Sequence, residues 1–310
     1  MVWKTTCKSA ASISHIEMAK TSLPSDEFIA VDWGTTNRRV FIIRNGEVAQ
    51  VERDNKGVKS PARGDYEHEL SALRERFGDL PILLAGMVGA NVGFRDAGYV
   101  SAPGSLRDLA KGRLEVGDRI WIIPGFSYLG EDRCDIMRGE EVQFLGAVAA
   151  GLVSSDATLC QPGTHAKWAR IENGQLTSFA TAMTGEVFSL LRNHSLLAAQ
   201  IAGDVHVGPA FVDGVREART GDLLGSLFGI RAASVLGRRS DRDAASFASG
   251  LLIGSECVAH AGNGPVTLIS DQVMGGLYHN ALAELGIECS LIDSEKSFLA
   301  GIMRIWADCA

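Results

Sequence analysis

The six cysteines of this 310-residue chain, at 7, 134, 160, 257, 289 and 309, form no C-x-x-C pair and no cysteine/histidine spacing suited to zinc. That argues against a zinc ribbon and a dithiol redox centre, and reduced thiols in the cytoplasm become the simple reading. Long apolar runs are missing too. The longest stretches, such as 144–153, are too short to cross a bilayer, and residues 1–26 carry no apolar signal core. Positive charge is scarce: 30 Lys and Arg stand against 37 Asp and Glu, a net charge of −7, which argues against a general nucleic-acid binder. Any anionic ligand must then be held by a few local cations. The seven histidines form no triad with a nucleophile, and no low-complexity segment or long linker interrupts the chain.

What is present suits a folded protein, with 46% apolar and 22% charged residues. The length fits two domains of about 130 to 150 residues with a cleft between them. Residues 1–26 are polar and patternless and read as a flexible extension, in which Met18 is an alternative start.

One pattern occurs twice. Phe28-Ile29-Ala30-Val31 leads into Asp32-Trp33-Gly34-Thr35-Thr36, then into a second apolar strand closing at Asn45-Gly46. Thr158-Leu159-Cys160 leads into Gln161-Pro162-Gly163-Thr164-His165, then into Trp168-Ala169-Arg170-Ile171 closing at Asn173-Gly174. Asn-Gly between alternating segments signals a hairpin. Glycine followed by threonine leaves little bulk over the backbone, so phosphate oxygens reach main-chain N–H groups and hydroxyls. Two such loops facing each other suit the phosphates of one nucleotide. The spacing of 129 residues between Gly34 and Gly163 points to a duplicated domain and away from a short-repeat solenoid.

Strands and helices alternate around these hairpins. Strands are expected near 27–33, 38–44, 47–53, 81–85 and 120–123, with a helix near 65–77. A second helix over 140–153 packs through Phe144, Leu145, Val148 and Leu152. Beyond the second hairpin, helices dominate 185–260, followed by strands near 266–269 and 288–292, a helix near 275–285 between them, and a last helix from Glu295.

The ordered set of hairpin, Gly-Met-Val-Gly (86–89), Asp-Ile-Met-Arg-Gly-Glu-Glu (135–141), Gly-Thr-His-Ala-Lys-Trp (163–168) and Met-Thr-Gly-Glu (183–186) resembles the 2-dehydro-3-deoxygalactonokinase family, in the superfamily of sugar kinases, actin and heat-shock ATPases. Leu-Phe-Gly-Ile-Arg (227–231) and Gly-Leu-Leu-Ile-Gly-Ser-Glu (250–256) support it. The resemblance runs from about 28 to 305. It implies an α/β fold of two duplicated ribonuclease H-like, actin-like ATPase domains, 27–154 and 155–310, with a nucleotide cleft between them. It further implies ATP and Mg²⁺ as cofactors and phosphorylation of 2-dehydro-3-deoxy-D-galactonate at its primary hydroxyl. A kinase for the gluconate-derived epimer, or a non-catalytic sensor of nucleotide and sugar acid, is the alternative. The expected partner is a small sugar acid, without nucleic acid or membrane; monomer and homodimer both stay open.

Phosphoryl transfer needs positioning and charge neutralisation, so each motif has a physical task. Gly34, Thr35, Thr36, Gly163 and Thr164 are expected to cradle phosphates, with His165 donating and Lys167 neutralising charge. Asp32 would orient Mg²⁺ through water, an Asx turn being its plainer role. Glu140 is the expected base, by resemblance to sugar kinases with a carboxylate at this helix start. Asp135 is the reserve or the helix cap, and Glu141 is read as facing solvent. Arg138 suits a substrate carboxylate. Of Arg38 and Arg39, one is expected toward the phosphates and one toward solvent. By resemblance, Gly86, Met87, Gly89 and Asn91 line the sugar pocket, where Gly98 and Phe94 replace a proline and a tryptophan, and Glu186 touches substrate. Ser270 and Asp271 stand at the adenosine turn, Asp271 contacting ribose or capping a helix.

Overall fold

A computed structural model describes residues 26–60, 65–131 and 133–309. The flexible extension expected over 1–26 lies, but for its last residue, outside them. The first half contains β1 (Phe28–Trp33), β2 (Arg38–Arg44), β3 (Glu47–Asp54), α1 (Tyr66–Phe77), β4 (Ile82–Ala85), β5 (Tyr99–Ser101) and α2 (Leu106–Lys111). It continues through β6 (Leu114–Gly117), β7 (Ile120–Ile122), β8 (Gly125–Leu129), β9 (Cys134–Met137) and α3 (Glu140–Ala149). The second half opens with β10 (Ala157–Gln161), β11 (Ala166–Glu172) and β12 (Gln175–Ala182). Four helices follow, α4 (Thr184–His194), α5 (Pro209–Glu217), α6 (Leu223–Val235) and α7 (Asp241–His260). It ends with β13 (Val266–Ile269), α8 (Gln272–Glu284), β14 (Cys289–Ile292) and α9 (Ser294–Asp308).

The two main sheets repeat one topology. Their orders are β3-β2-β1-β4-β7-β6 and β12-β11-β10-β13-β14, and only the edge strand β6 has no counterpart. In each, an antiparallel three-strand meander is extended by parallel strands. The two Asn-Gly turns pair as expected, with positive φ at Asn45, Gly46, Asn173 and Gly174. β1 and β4 are apolar along nearly their whole length because both sheet faces are covered. A three-stranded sheet, β5-β8-β9, lies beside the first. Its short strands fall in a stretch where sequence periodicity predicts none.

α3 and α9, which close the two halves, lie between the main sheets in one continuous core. That core runs from Phe28, Phe41 and Leu83 through Phe144 and Phe298 to Leu159, Ala169 and Ile171. Trp306 stacks on Phe28 at 4.5 Å, and Phe298 lies 5.7 Å from Phe41. α3 ends at Ala149, so Leu152 falls outside it and is 43% exposed instead of packing. The helices touch backbone to backbone: a Cβ on Gly146 would lie 2.1 Å from the Ser297 carbonyl oxygen, and one on Gly301 2.1 Å from that of Val142. Such contacts leave no room for a methyl group. Gly146→Ala is expected to destabilise the protein by about 3 kcal/mol in urea unfolding, and an unchanged midpoint would refute this crossing.

Candidate active site

The first Gly-Thr loop is held from behind. Val58, Lys59 and Gly57 donate their N–H groups to the carbonyls of Gly34 (3.1 Å), Thr35 (3.1 Å) and Thr36 (2.9 Å). Gly57 has to be glycine there, since a Cβ would meet the Thr35 and Thr36 backbone within 2.5 Å. The loop's carbonyl oxygens are thereby engaged, which keeps their negative ends away from an anion. Arg38 is buried behind the same loop, bonded to Asp54 (2.6 Å) and Glu69 (3.0 Å) and set over Trp33. Arg39 pairs with Asp32 through Oδ2. Neither arginine is free in solvent as alternation suggested, because each has a carboxylate within reach.

Two turns stack beside this loop. Gly86, after β4, has φ +92°, and a Cβ on it would come within 2.9 Å of the Trp33 carbonyl and 3.3 Å of Asp32 Oδ1. Gly139, before α3, has φ +105°, and its Cβ position lies 3.2 Å from Gly86 Cα. Both conformations disfavour side chains; the contact at Gly86 leaves no room for one, and that at Gly139 is tight. Arg138 and Glu140 flank this second turn and enter a cleft of about 670 Å³. The first half lines it with Asp32, Gly34, Thr35, Gly86, Met87 and Asn91, and the second half with Gly163, Thr164, His165 and Lys167.

The charged groups pair tightly. Glu140 accepts from the Arg138 amide (3.1 Å) and faces the buried Lys167 Nζ at 3.4 Å, which also donates to the His165 carbonyl (3.2 Å). Arg138 lies under the Tyr99 ring (4.5 Å) and donates Nη2 to the Gly98 carbonyl (3.0 Å), while its Nε and Nη1 are buried without an acceptor. Gly98 has φ +66°, a conformation closed to the proline expected there. Phe94 stacks on Tyr66 at 5.2 Å.

Several expectations are corrected. Asp135 is neither a helix cap nor in the helix: it sits on β9 and accepts from the amide and hydroxyl of Thr181, both at 2.7 Å, which joins β9 to β12. Glu141 is fully buried, not solvated, with both oxygens on the Gly139 N–H at 2.8 and 2.7 Å. Gly89 does not line the cleft but leaves space for Arg138, whose Nη1 a Cβ would approach to 2.9 Å. Thr36 lines a neighbouring pocket with Asn37 and Arg38. Glu186 lies outside the cleft lining, 2.5 Å from His165 Nε2. Asp271 takes the helix-cap role, one of the two expected for it, by accepting from Val273 and Met274 at the start of α8, and it and Ser270 lie beyond the lining of this cleft. Sequence reasoning missed Gln143, which lines the cleft and accepts at 3.2 Å from Gln161 of the second loop. The position of Gln143 one turn after Glu140, on the same helix face, is the signal that was available.

A duplicated five-strand unit, whose two Gly-Thr hairpins open on one cleft, defines the actin-like ATPase class that includes sugar kinases. Residues 32–305 match the family model described as 2-keto-3-deoxy-galactonokinase, and the chain belongs to that family. It is 35% identical over 290 residues to the 2-dehydro-3-deoxygalactonokinase of Escherichia coli (strain K12), covering 90% of this chain and 97% of that protein. A crystal structure of a Sinorhizobium meliloti protein assigned to the same kinase is similar with a TM-score of 0.84 and 33% identity, over 90% of this chain and 97% of that one.

Burial, with the charge of neighbouring Glu140, pushes the Glu141 carboxyl up to about 8. Between the unfolded value of 4.5 and about 8 the folded state alone holds this proton. The stability it contributes is therefore full below the lower value and lost as pH rises through the higher. Glu141→Gln keeps an acceptor for Gly139 and has no proton to lose. It is expected to flatten the fall of Tm between about pH 5 and 8, and an unchanged slope would assign that fall to another group.

Proposed function

We propose that this chain transfers the γ-phosphoryl group of ATP to the primary hydroxyl of 2-dehydro-3-deoxy-D-galactonate, giving the 6-phosphate in cytoplasmic galactonate breakdown. The observation that carries the reaction class is the convergence of two Gly-Thr hairpins and the Glu140–Lys167 pair on one cleft. The sugar is carried by family membership and by the named activity of the Escherichia coli relative.

The nucleotide's phosphates take the Gly34-Thr35 and Gly163-Thr164 loops, between the halves 27–154 and 155–310. Lys167 lies where it can neutralise transferring charge. Glu140 orients the attacking hydroxyl and accepts its proton. Asp135 is the weaker choice because the Thr181 amide and hydroxyl, the Ile136 amide (2.8 Å) and Arg133 (3.1 Å) already occupy its oxygens. The acid's carboxylate takes an unused donor of the Arg138 guanidinium.

Among the described residues no three His, Cys, Asp or Glu side chains gather as a metal cage. One carboxylate beside a phosphate cradle still suits Mg²⁺, which retains water and binds phosphate oxygens. Asp32 is that carboxylate, since Arg39 occupies only its Oδ2. Bound with ATP, the ion would neutralise phosphate charge. Membership of the described structure in the cytoplasm rests on its five free cysteines, and no helix among the described residues is long and apolar enough to cross a membrane.

Coupled ADP release with Mg-ATP is expected to require the galactonate-derived acid; turnover with only the gluconate-derived epimer would move the substrate and keep the chemistry. Glu140→Gln should lower kcat by about 10²- to 10⁴-fold with ATP affinity retained, and an unaltered kcat would remove its role as base. Arg138→Ala should raise KM for the acid alone. A selective loss of ATP affinity would place Arg138 with the phosphates instead.

A further inference from the structure

The 250–256 motif has no part in the chemistry above, yet it ends in a buried carboxylate. Glu256 is 5% exposed on α7. Its oxygens accept from Trp168 Nε1 on β11 at 2.7 Å and from the Tyr278 hydroxyl on α8 at 2.8 Å, and Thr184, at the start of α4, bonds to it as well. Burial raises its pKa, and these three bonds pull in the opposite direction. All three donors are neutral, so the acid is held by hydrogen bonds that converge from three elements. Burying such a group is costly, and the cost is met only while its partners stay in register.

Two of those partners adjoin the second phosphate hairpin directly. Trp168 follows Lys167 on β11. Thr184 precedes Gly185, where a Cβ would lie 2.7 Å from the Gly163 carbonyl oxygen and 2.8 Å from Thr164 Cα. The next residue, Glu186, donates its N–H to the Thr164 carbonyl at 3.0 Å. Tyr278 joins the same carboxylate to α8. The glycines of the motif let α7 approach α5 closely enough to place the acid there: a Cβ on Gly250 would lie 2.1 Å from the Phe211 carbonyl oxygen, and one on Gly254 2.9 Å from Val215 Cα.

We infer that Glu256 is a positioning residue for nucleotide binding: it ties β11, α4 and α8 into one frame that fixes Gly163, Thr164 and Lys167 against the phosphates. This rests on the placement of ATP phosphates at that hairpin. The test is calorimetric titration of the full-length protein with Mg-ATP, run beside steady-state kinetics and thermal melting. Glu256→Gln keeps the volume but turns one acceptor into a donor. It is expected to weaken Mg-ATP binding by about tenfold while leaving KM for the sugar acid unchanged. Tyr278→Phe and Trp168→Phe each remove one donor and keep a ring; a smaller weakening of the same constant is expected from both, and they carry the test if Glu256→Gln does not fold. A lower Tm with Mg-ATP affinity intact, or equal losses for nucleotide and acid, would overturn the inference. A wild-type protein that binds Mg-ATP but turns over no acid would refute the substrate reading and leave the affinity comparison decisive for Glu256.

Discussion

The contact between Gly86 and Gly139 is the constraint on which the rest of the cleft depends. Two turns with positive φ meet where a methyl group on Gly139 would push them apart by a few tenths of an ångström, and the two glycines are 53 residues apart in sequence. One turn backs onto Asp32 and the Trp33 carbonyl, and the other carries Arg138 on one side and Glu140 on the other. The carboxylate at β1 and the carboxylate opening α3 are thus fixed relative to each other by backbone, before any side chain bonds. Glu141 completes the arrangement, because its buried carboxyl accepts from the Gly139 amide while Glu140 accepts from that of Arg138.

The two phosphate hairpins share topology but not support. The first is backed by a buried cation, Arg38, shared between Asp54 and Glu69. The second is backed by a buried acid, Glu256, held by an indole, a phenol and a threonine hydroxyl. In both, a tryptophan is anchored through its indole N–H: Trp33 to the Lys56 carbonyl at 2.6 Å, and Trp168 to Glu256. Duplication preserved the shape that a phosphate requires, while the packing behind each copy found its own charge solution.

How far the sequence could be read follows from the range of the interactions involved. The hairpins were legible because their signals are local: alternating residues, Asn-Gly turns and a glycine before threonine. β5, β8 and β9 were not, since strands of three to five residues carry too little periodicity. Asp135 was misread because its partner Thr181 is 46 residues away, and only the folded chain brings β12 beside β9. Glu141 was misread for a related reason: two adjacent glutamates opening a helix look equivalent, and only the Gly139 turn separates the cleft-lining one from the buried one. Asp271, whose cap bonds span two and three residues, was read correctly as one of two roles.

The core that joins the two sheets has a consequence for biosynthesis. Phe28 and Phe41 are covered by Trp306 and Phe298, more than 250 residues further along the chain. At about 5 to 20 residues per second, the ribosome leaves Phe28 and Phe41 without these two partners for roughly 13 to 55 s, although α2 and α3 of the same core are made much earlier. The first half therefore completes this part of its core only once the end of the chain has been made.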